Sequence, residues 1–252
     1  MVFKVIFLCV MCYIGAFVDA IAGGGGLITL PSYFIAGIDT NFALGTNKFA
    51  SSSGTLMSTY TFAKKGYIDK ELMKRLLPFT LIGAVLGAQT VSILDPNILR
   101  PIIVFLLIAV GLYTYFAKDI GLVYNYKGFN KNNLIAGCLL ALGLGFYDGF
   151  FGPGTGSFII FGLIKLYGFD FTHASGNAKA MNLMSNVASL VVFAINGNIM
   201  YLMGVPIALS MMLGGKMGSN TALKKGSKFI KPIYIIMAFA AAIKVVLDVV
   251  LK

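Results

Sequence analysis

Asp19-Ala-Ile-Ala-Gly-Gly-Gly-Gly26, near the start of the chain, is answered by Asp148-Gly-Phe-Phe-Gly-Pro-Gly-Thr-Gly156 in its middle. Each stretch sets one carboxylate beside a glycine-rich run in an otherwise apolar segment. Within a helix, glycine costs about 1 kcal/mol relative to alanine and proline about 3, so neither stretch continues as ordinary helix. Pro153 also lacks an amide hydrogen and restricts Gly152 before it. Backbone opened in this way survives at membrane depth only where protein or a watery cavity surrounds it. Two such breaks, one per half, point to a membrane transporter with its solute site between two repeats.

The composition agrees. The 252 residues are 58% hydrophobic and only 12% charged, with a mean hydropathy of +0.87. A soluble globule carries about 25% charged residues, so this chain has too little polar surface to face water all round. Ten apolar segments are read at about 5–22, 26–38, 43–63, 74–93, 100–117, 133–150, 157–167, 174–195, 203–220 and 230–250. The runs at 26–38 and 157–167 are short for a bilayer that needs about 20 helical residues, so they are half-helices or re-entrant arms. The fold class is an all-α polytopic membrane protein with up to ten apolar segments, and either five or three crossings per half fit them.

The net charge of +11 would suggest nucleic acid in a soluble protein. Here the basic residues gather in a few loops, which fits topology control and contact with anionic membrane lipid. No zinc-finger spacing or aromatic-basic groove accompanies them, so nucleic acid is not an expected partner. Cys9, Cys12 and Cys138 form no motif, and His173 is the single histidine. Gly23–Gly26 is neither a dinucleotide fingerprint nor a P-loop. No cofactor, metal or catalytic residue is expected, and the chain reads as a non-enzyme.

The duplication extends beyond the breaks. Asp19, Gly23 and Gly25 match Asp148, Gly152 and Gly154 at an offset of 129, and Gly45, Lys48, Gly66, Gly83 and Gly87 match Gly176, Lys179, Gly197, Gly214 and Gly218 at 131. Residues 1–117 form the first repeat, 118–132 a cytoplasmic linker and 133–252 the second repeat. Lys64, Lys65, Lys70, Lys74 and Arg75 make one loop basic, whereas its counterpart around Asn196–Tyr201 has no basic residue. The second half places Lys224, Lys225, Lys228 and Lys231 one loop later. Basic loops face the cytoplasm, so equivalent loops lie on opposite sides. That is the pattern of inverted repeats, with both termini outside.

The breaks and the third segment of each half carry the candidate chemistry. Opened turns at Gly23, Gly24, Gly25 and Gly26, and at Gly152, Gly154, Thr155 and Gly156, would turn backbone N–H groups and helix N-termini toward an anion. Asn47 with Lys48, and Asn177 with Lys179, would add polar and positive groups, although a lysine near a helix end also snorkels. Downstream lie Ser51, Ser52 and Ser53 in one half, and Asn182, Ser185 and Asn186 in the other. Asp19 and Asp148 are either proton-coupling groups or acids that cap a broken helix and neutralise a lysine. For Gly83/Gly87 and Gly214/Gly218, close helix crossing is the expected role.

Val18-Asp-Ala-Ile-Ala-Gly-Gly-Gly-Gly-Leu-Ile-Thr-Leu-Pro31, Asn41-Phe-Ala-Leu-Gly-Thr-Asn-Lys48, Phe146-Tyr-Asp-Gly-Phe-Phe-Gly-Pro-Gly-Thr-Gly-Ser-Phe158 and the stretch from His173 to Asn186 together resemble the TauE/SafE sulfite exporter family. The resemblance covers nearly the whole chain. It implies a multi-pass secondary carrier of about eight spans in the bacterial inner (cytoplasmic) membrane, moving sulfite, thiosulfate, an organosulfonate or a related anion. An anion channel is the main alternative expectation and an intramembrane aspartyl protease a weaker one. The resemblance fixes neither the anion nor the direction, and oligomeric state stays open.

Overall fold

The computed structural model describes residues 2–94, 122–126, 128–227 and 229. Among them lie eight α-helices: α1 (Val2–Ala22), α2 (Gly26–Ile35), α3 (Thr40–Lys64), α4 (Lys70–Ile93), α5 (Lys131–Phe150), α6 (Thr155–Tyr167), α7 (Phe171–Ile195) and α8 (Tyr201–Lys225). The apolar segments expected at 100–117 and 230–250 fall outside the described residues. Helices α1, α4, α5 and α7 are long and apolar enough to cross a membrane, while α2 and α6 are short and apolar. Helices α3 and α8 have the same 25-residue length as α7. They are more polar because α3 carries Lys48 and the serine run, and α8 ends in Lys224 and Lys225.

Several helices begin ahead of their apolar runs because polar residues cap them. The Asp69 carboxylate accepts from the Leu72 amide at 2.9 Å, and Asp170 accepts from the His173 amide at 3.0 Å. Asn130 and Asn133 form a reciprocal capping box at the start of α5. Each bond satisfies an amide that the first helical turn leaves without an intrahelical acceptor. At the other end, α8 runs past its apolar stretch through Lys224 and Lys225, whose charge suits the negative end of the helix dipole.

The fourth helix of each half lies along the first helix of the other: α4 on α5, and α8 on α1. Small residues set both crossings. A Cβ on Gly83 or Gly87 would fall 2.1 Å from the carbonyl oxygen of Leu142 or Phe146. On Gly214 or Gly218 it would fall 2.4 or 2.3 Å from that of Tyr13 or Phe17. These four glycines serve helix crossing, as expected from their spacing.

Helices α3 and α7 form the central pair and run antiparallel. One apolar core joins Ala43 and Leu44 near the start of α3 to Phe193 near the end of α7. The other joins Phe62 at the end of α3 to Phe171 and Ala174 at the start of α7. Between these cores lies a polar middle. The outer faces of the surrounding helices leave Ile82, Leu86, Leu139, Leu209 and Leu213 exposed, as suits a surface solvated by lipid.

Candidate functional site

Both glycine-rich breaks turn the chain back on itself. Gly23 has φ +77°, Gly152 +99° and Gly154 +82°, a region that costs other residues roughly 1–2 kcal/mol. After the first break α2 returns along α1, leaving the Lys4 Nζ beside Gly37. After the second, α6 returns along α5, so that the Tyr167 hydroxyl donates to the Asn133 carbonyl at 3.0 Å. In both places the short helix lies back beside the long helix that precedes it.

The breaks then meet. The Ser157 amide donates to the Gly23 carbonyl at 3.1 Å, and the Ser157 hydroxyl to the Ala22 carbonyl at 2.8 Å. A Cβ on Gly23 would lie 2.3 Å from the Gly156 carbonyl carbon, and one on Gly26 would lie 2.8 Å from the Pro153 Cα. Amides expected to face a solute are partly used inside the protein. Gly25 donates toward the Asp19 carboxylate at 3.4 Å, and Ser157 is committed to Gly23 as above.

Helices α3 and α7 each bring one lysine to the breaks. Lys48 Nζ lies 3.0 Å from Asp148 Oδ1, and Lys179 Nζ lies 2.6 Å from Asp19 Oδ2. Each lysine is thus paired with the acid of the other half. Asn186 Oδ1 accepts from Lys48 at 3.1 Å, while the Ser185 hydroxyl donates to Asp148 Oδ2. The Lys179 side chain is completely buried and the Lys48 side chain is 4% exposed, with Asp148 at 7% and Asp19 at 22%. Charges this deep require partners, and the four groups sum to zero when ionised. Each aspartate faces a lysine, an arrangement unlike two carboxylates sharing a proton.

These groups surround a cavity of about 50 Å³. At about 10–15 Å³ per water, it suits a few waters or one small polyatomic ion. Asp19, Gly23, Gly25 and Gly26 line one side, with Asn47 and Lys48 beside them. Asp148, Gly152, Gly156, Asn182 and Asn186 complete it from the second half. Buried oxygens of Thr29, Asn47 and Asn182 lack a hydrogen-bond partner among the described residues, and all three side chains line the cavity.

The remaining expected residues stand behind this wall. Lys179 lies behind Asp19. Gly154 caps α6, and Thr155 holds the turn by donating its hydroxyl to the Gly152 carbonyl at 2.7 Å. Gly24 accepts from the Leu27 amide within the first turn. Asn177 accepts from the Asp69 amide at 2.9 Å and donates to the His173 carbonyl, so it ties α7 to the α3–α4 loop. Thr55 and Met211 line the cavity unannounced. Thr55 matches Asn186 at the 131-residue offset, a signal that could have found it; Met211 has no such signal.

The TauE family model, described as the sulfite exporter TauE/SafE family, matches residues 6–245. A "probable membrane transporter protein" of Sinorhizobium sp. is 39% identical over 249 residues, covering 96% of this chain and 92% of its own. One from Haemophilus influenzae is 36% identical, with 94% and 92% covered. YfcA of Escherichia coli, given the same description, is 33% identical, with 93% and 87% covered. No solved structure matches. The chain therefore belongs to the sulfite exporter TauE/SafE family, and is a multi-pass transporter of the bacterial inner membrane and not an enzyme.

Proposed function

We propose that this transporter is a secondary carrier for a small anion, sulfur-containing in the manner of sulfite, thiosulfate or an organosulfonate. It works by alternating access around the cavity between the two breaks. The observation that carries this reading is the cavity between the breaks, flanked by two ion pairs that each join one half to the other. The family description supports a sulfur oxyanion. The lining of Lys48, Asn47, Asn182 and Asn186, with two glycine-rich turns, supplies small polar groups suited to anion oxygens.

The two halves are inverted repeats, residues 1–117 and 133–252, joined by the linker at 118–132. Support comes from contacts that recur with the halves exchanged. Gly45 meets the Asn198 carbonyl as Gly176 meets that of Tyr67, and Gly83 meets Leu142 as Gly214 meets Tyr13. The basic loops then put the α3–α4 loop and the end of α8 in the cytoplasm, beside anionic lipid, and both termini outside. Rocking one half against the other would open the central cavity to each face in turn. Asp19 and Asp148 are the groups available for proton coupling.

Counterflow in proteoliposomes tests this reading. Vesicles loaded with unlabelled sulfite, thiosulfate or methanesulfonate should transiently concentrate the same labelled anion from outside, with saturation. Passive equilibration without counterflow or saturation would favour a channel, and no flux of any sulfur anion would refute the substrate class.

A further inference from the structure

The two ion pairs occupy matched positions but differ in what surrounds them. Lys48 is among the residues that line the cavity, whereas Lys179 is not and lies fully buried behind Asp19. The acids differ too. Asp19 receives a backbone N–H from Gly25 at 3.4 Å, which can only donate. Asp148 receives the Ser185 hydroxyl, which can donate to a carboxylate or accept from a carboxylic acid. At the position of Ser185 the first half has Gly54, which offers no such group.

On the carrier reading above, we propose that Lys48–Asp148 is the exchangeable pair and Lys179–Asp19 a fixed strut. The entering anion takes the Lys48 ammonium from Asp148, and Asp148 takes up one proton from the same aqueous phase. Lys48 stays charged and keeps Asn186 as its neutral partner. The protonated Asp148 turns its O–H to the Ser185 oxygen, so no buried charge is left alone. On release of the anion the proton leaves, and Asp148 closes on Lys48 again. One proton therefore travels with each singly charged anion in the same direction.

The groups facing Asp148 permit this. Lys48 comes from α3, Ser185 and Asn186 come from α7, and Asp19 lines the same cavity from α1. Its chain neighbour Tyr147 is occupied, donating its hydroxyl to the Pro153 carbonyl at 2.8 Å. Helix α4, packed against α5 here, presents the Ala84 carbonyl to Gly149.

The test uses full-length protein in proteoliposomes. Methanesulfonate, a monoanion around neutral pH, is the probe of proton stoichiometry, and thiosulfate, a dianion there, is a second probe of exchange. Wild-type apparent affinity should strengthen as pH falls, by up to about tenfold per unit for one linked proton. Asp148→Asn should remove that slope and abolish accumulation driven by a pH gradient, while leaving exchange measurable. The double variant Asp19→Asn/Lys179→Met should keep the wild-type slope, whatever its rate. Lys48→Met should lose saturable exchange that Lys48→Arg retains at least in part, with monodispersity checked for every variant. A slope that survives in Asp148→Asn, or disappears in the double variant, overturns the assignment. Saturable but pH-independent exchange by wild type overturns the exchangeable pair and leaves the carrier reading standing. No saturable exchange of either probe or of sulfite overturns the carrier reading itself.

Discussion

Gly23→Ala offers a quantitative test of how the two breaks are held. Gly23 sits at φ +77°, where a side chain costs roughly 1–2 kcal/mol. The added Cβ would also lie 2.3 Å from the Gly156 carbonyl carbon and 2.5 Å from the Ser157 nitrogen. Carbon contacts relax only near about 3.5–4.0 Å, so the breaks must part by about an ångström. That movement loosens the Ser157 amide and hydroxyl bonds to Gly23 and Ala22, each worth about 0.5–1.5 kcal/mol net. Together these effects amount to about 2–5 kcal/mol. Gly66→Ala is the control: its φ is +79°, yet nothing lies within 4 Å of the added Cβ. It should cost only the backbone term, about 1–2 kcal/mol. Thermal unfolding of detergent-purified protein should therefore place Gly23→Ala well below Gly66→Ala, with counterflow lost in the former alone. Equal melting temperatures would refute the close contact of the breaks.

Lys179→Met should destabilise the protein by about 3–5 kcal/mol, because it leaves Asp19 as an unpaired charge, and Asp19→Asn in the same chain should recover most of that loss; unfolding of the single and double variants checks both. Gly152→Ala should impair transport more than folding. Its φ is +99°, and the added Cβ would meet Asp148 Oδ1 at 3.0 Å and Lys48 Nζ at 3.2 Å, so parallel counterflow and melting measurements separate the effects. In the loop before α7, burial raises the Asp170 pKa, but bonds from the His173 ring and amide and from Ser227 outweigh it and leave the pKa lowered. A lowered folded value contributes stability that is present above the unfolded pKa and is lost as pH falls through the folded one. Asp170→Asn should therefore weaken the protein at neutral pH and flatten its acid unfolding limb below the ordinary aspartate range.

Much of this architecture was legible because a bilayer leaves few ways to arrange such residues. Tetraglycine beside Asp19 and Gly-Pro-Gly beside Asp148 had to be breaks, and both are turns with glycine at positive φ. The lysines at 48 and 179 were visible as a matched pair, but not their crossed partners. Pairing Lys48 with Asp148 depends on long-range packing that brings the end of α5 to α3, which hydropathy does not encode. The same limit hid the role of Asn177. Its neighbour Lys179 points toward the breaks while Asn177 turns to the Asp69 amide, because residues two apart on a helix face different sides. Met211 entered the cavity wall through packing of α8 on α3, a long-range contact that its local sequence does not announce.

On the proposed carrier mechanism, the cavity between the breaks opens to each side of the membrane in turn. Ser51 lines that cavity, and the three native cysteines, Cys9, Cys12 and Cys138, can be replaced by alanine to give a clean background. Ser51→Cys in that background should react with an impermeant thiol reagent added to either face of oriented vesicles, and thiosulfate should slow both reactions. Labelling from one face only, or labelling that thiosulfate leaves unchanged, would contradict alternating access around this site.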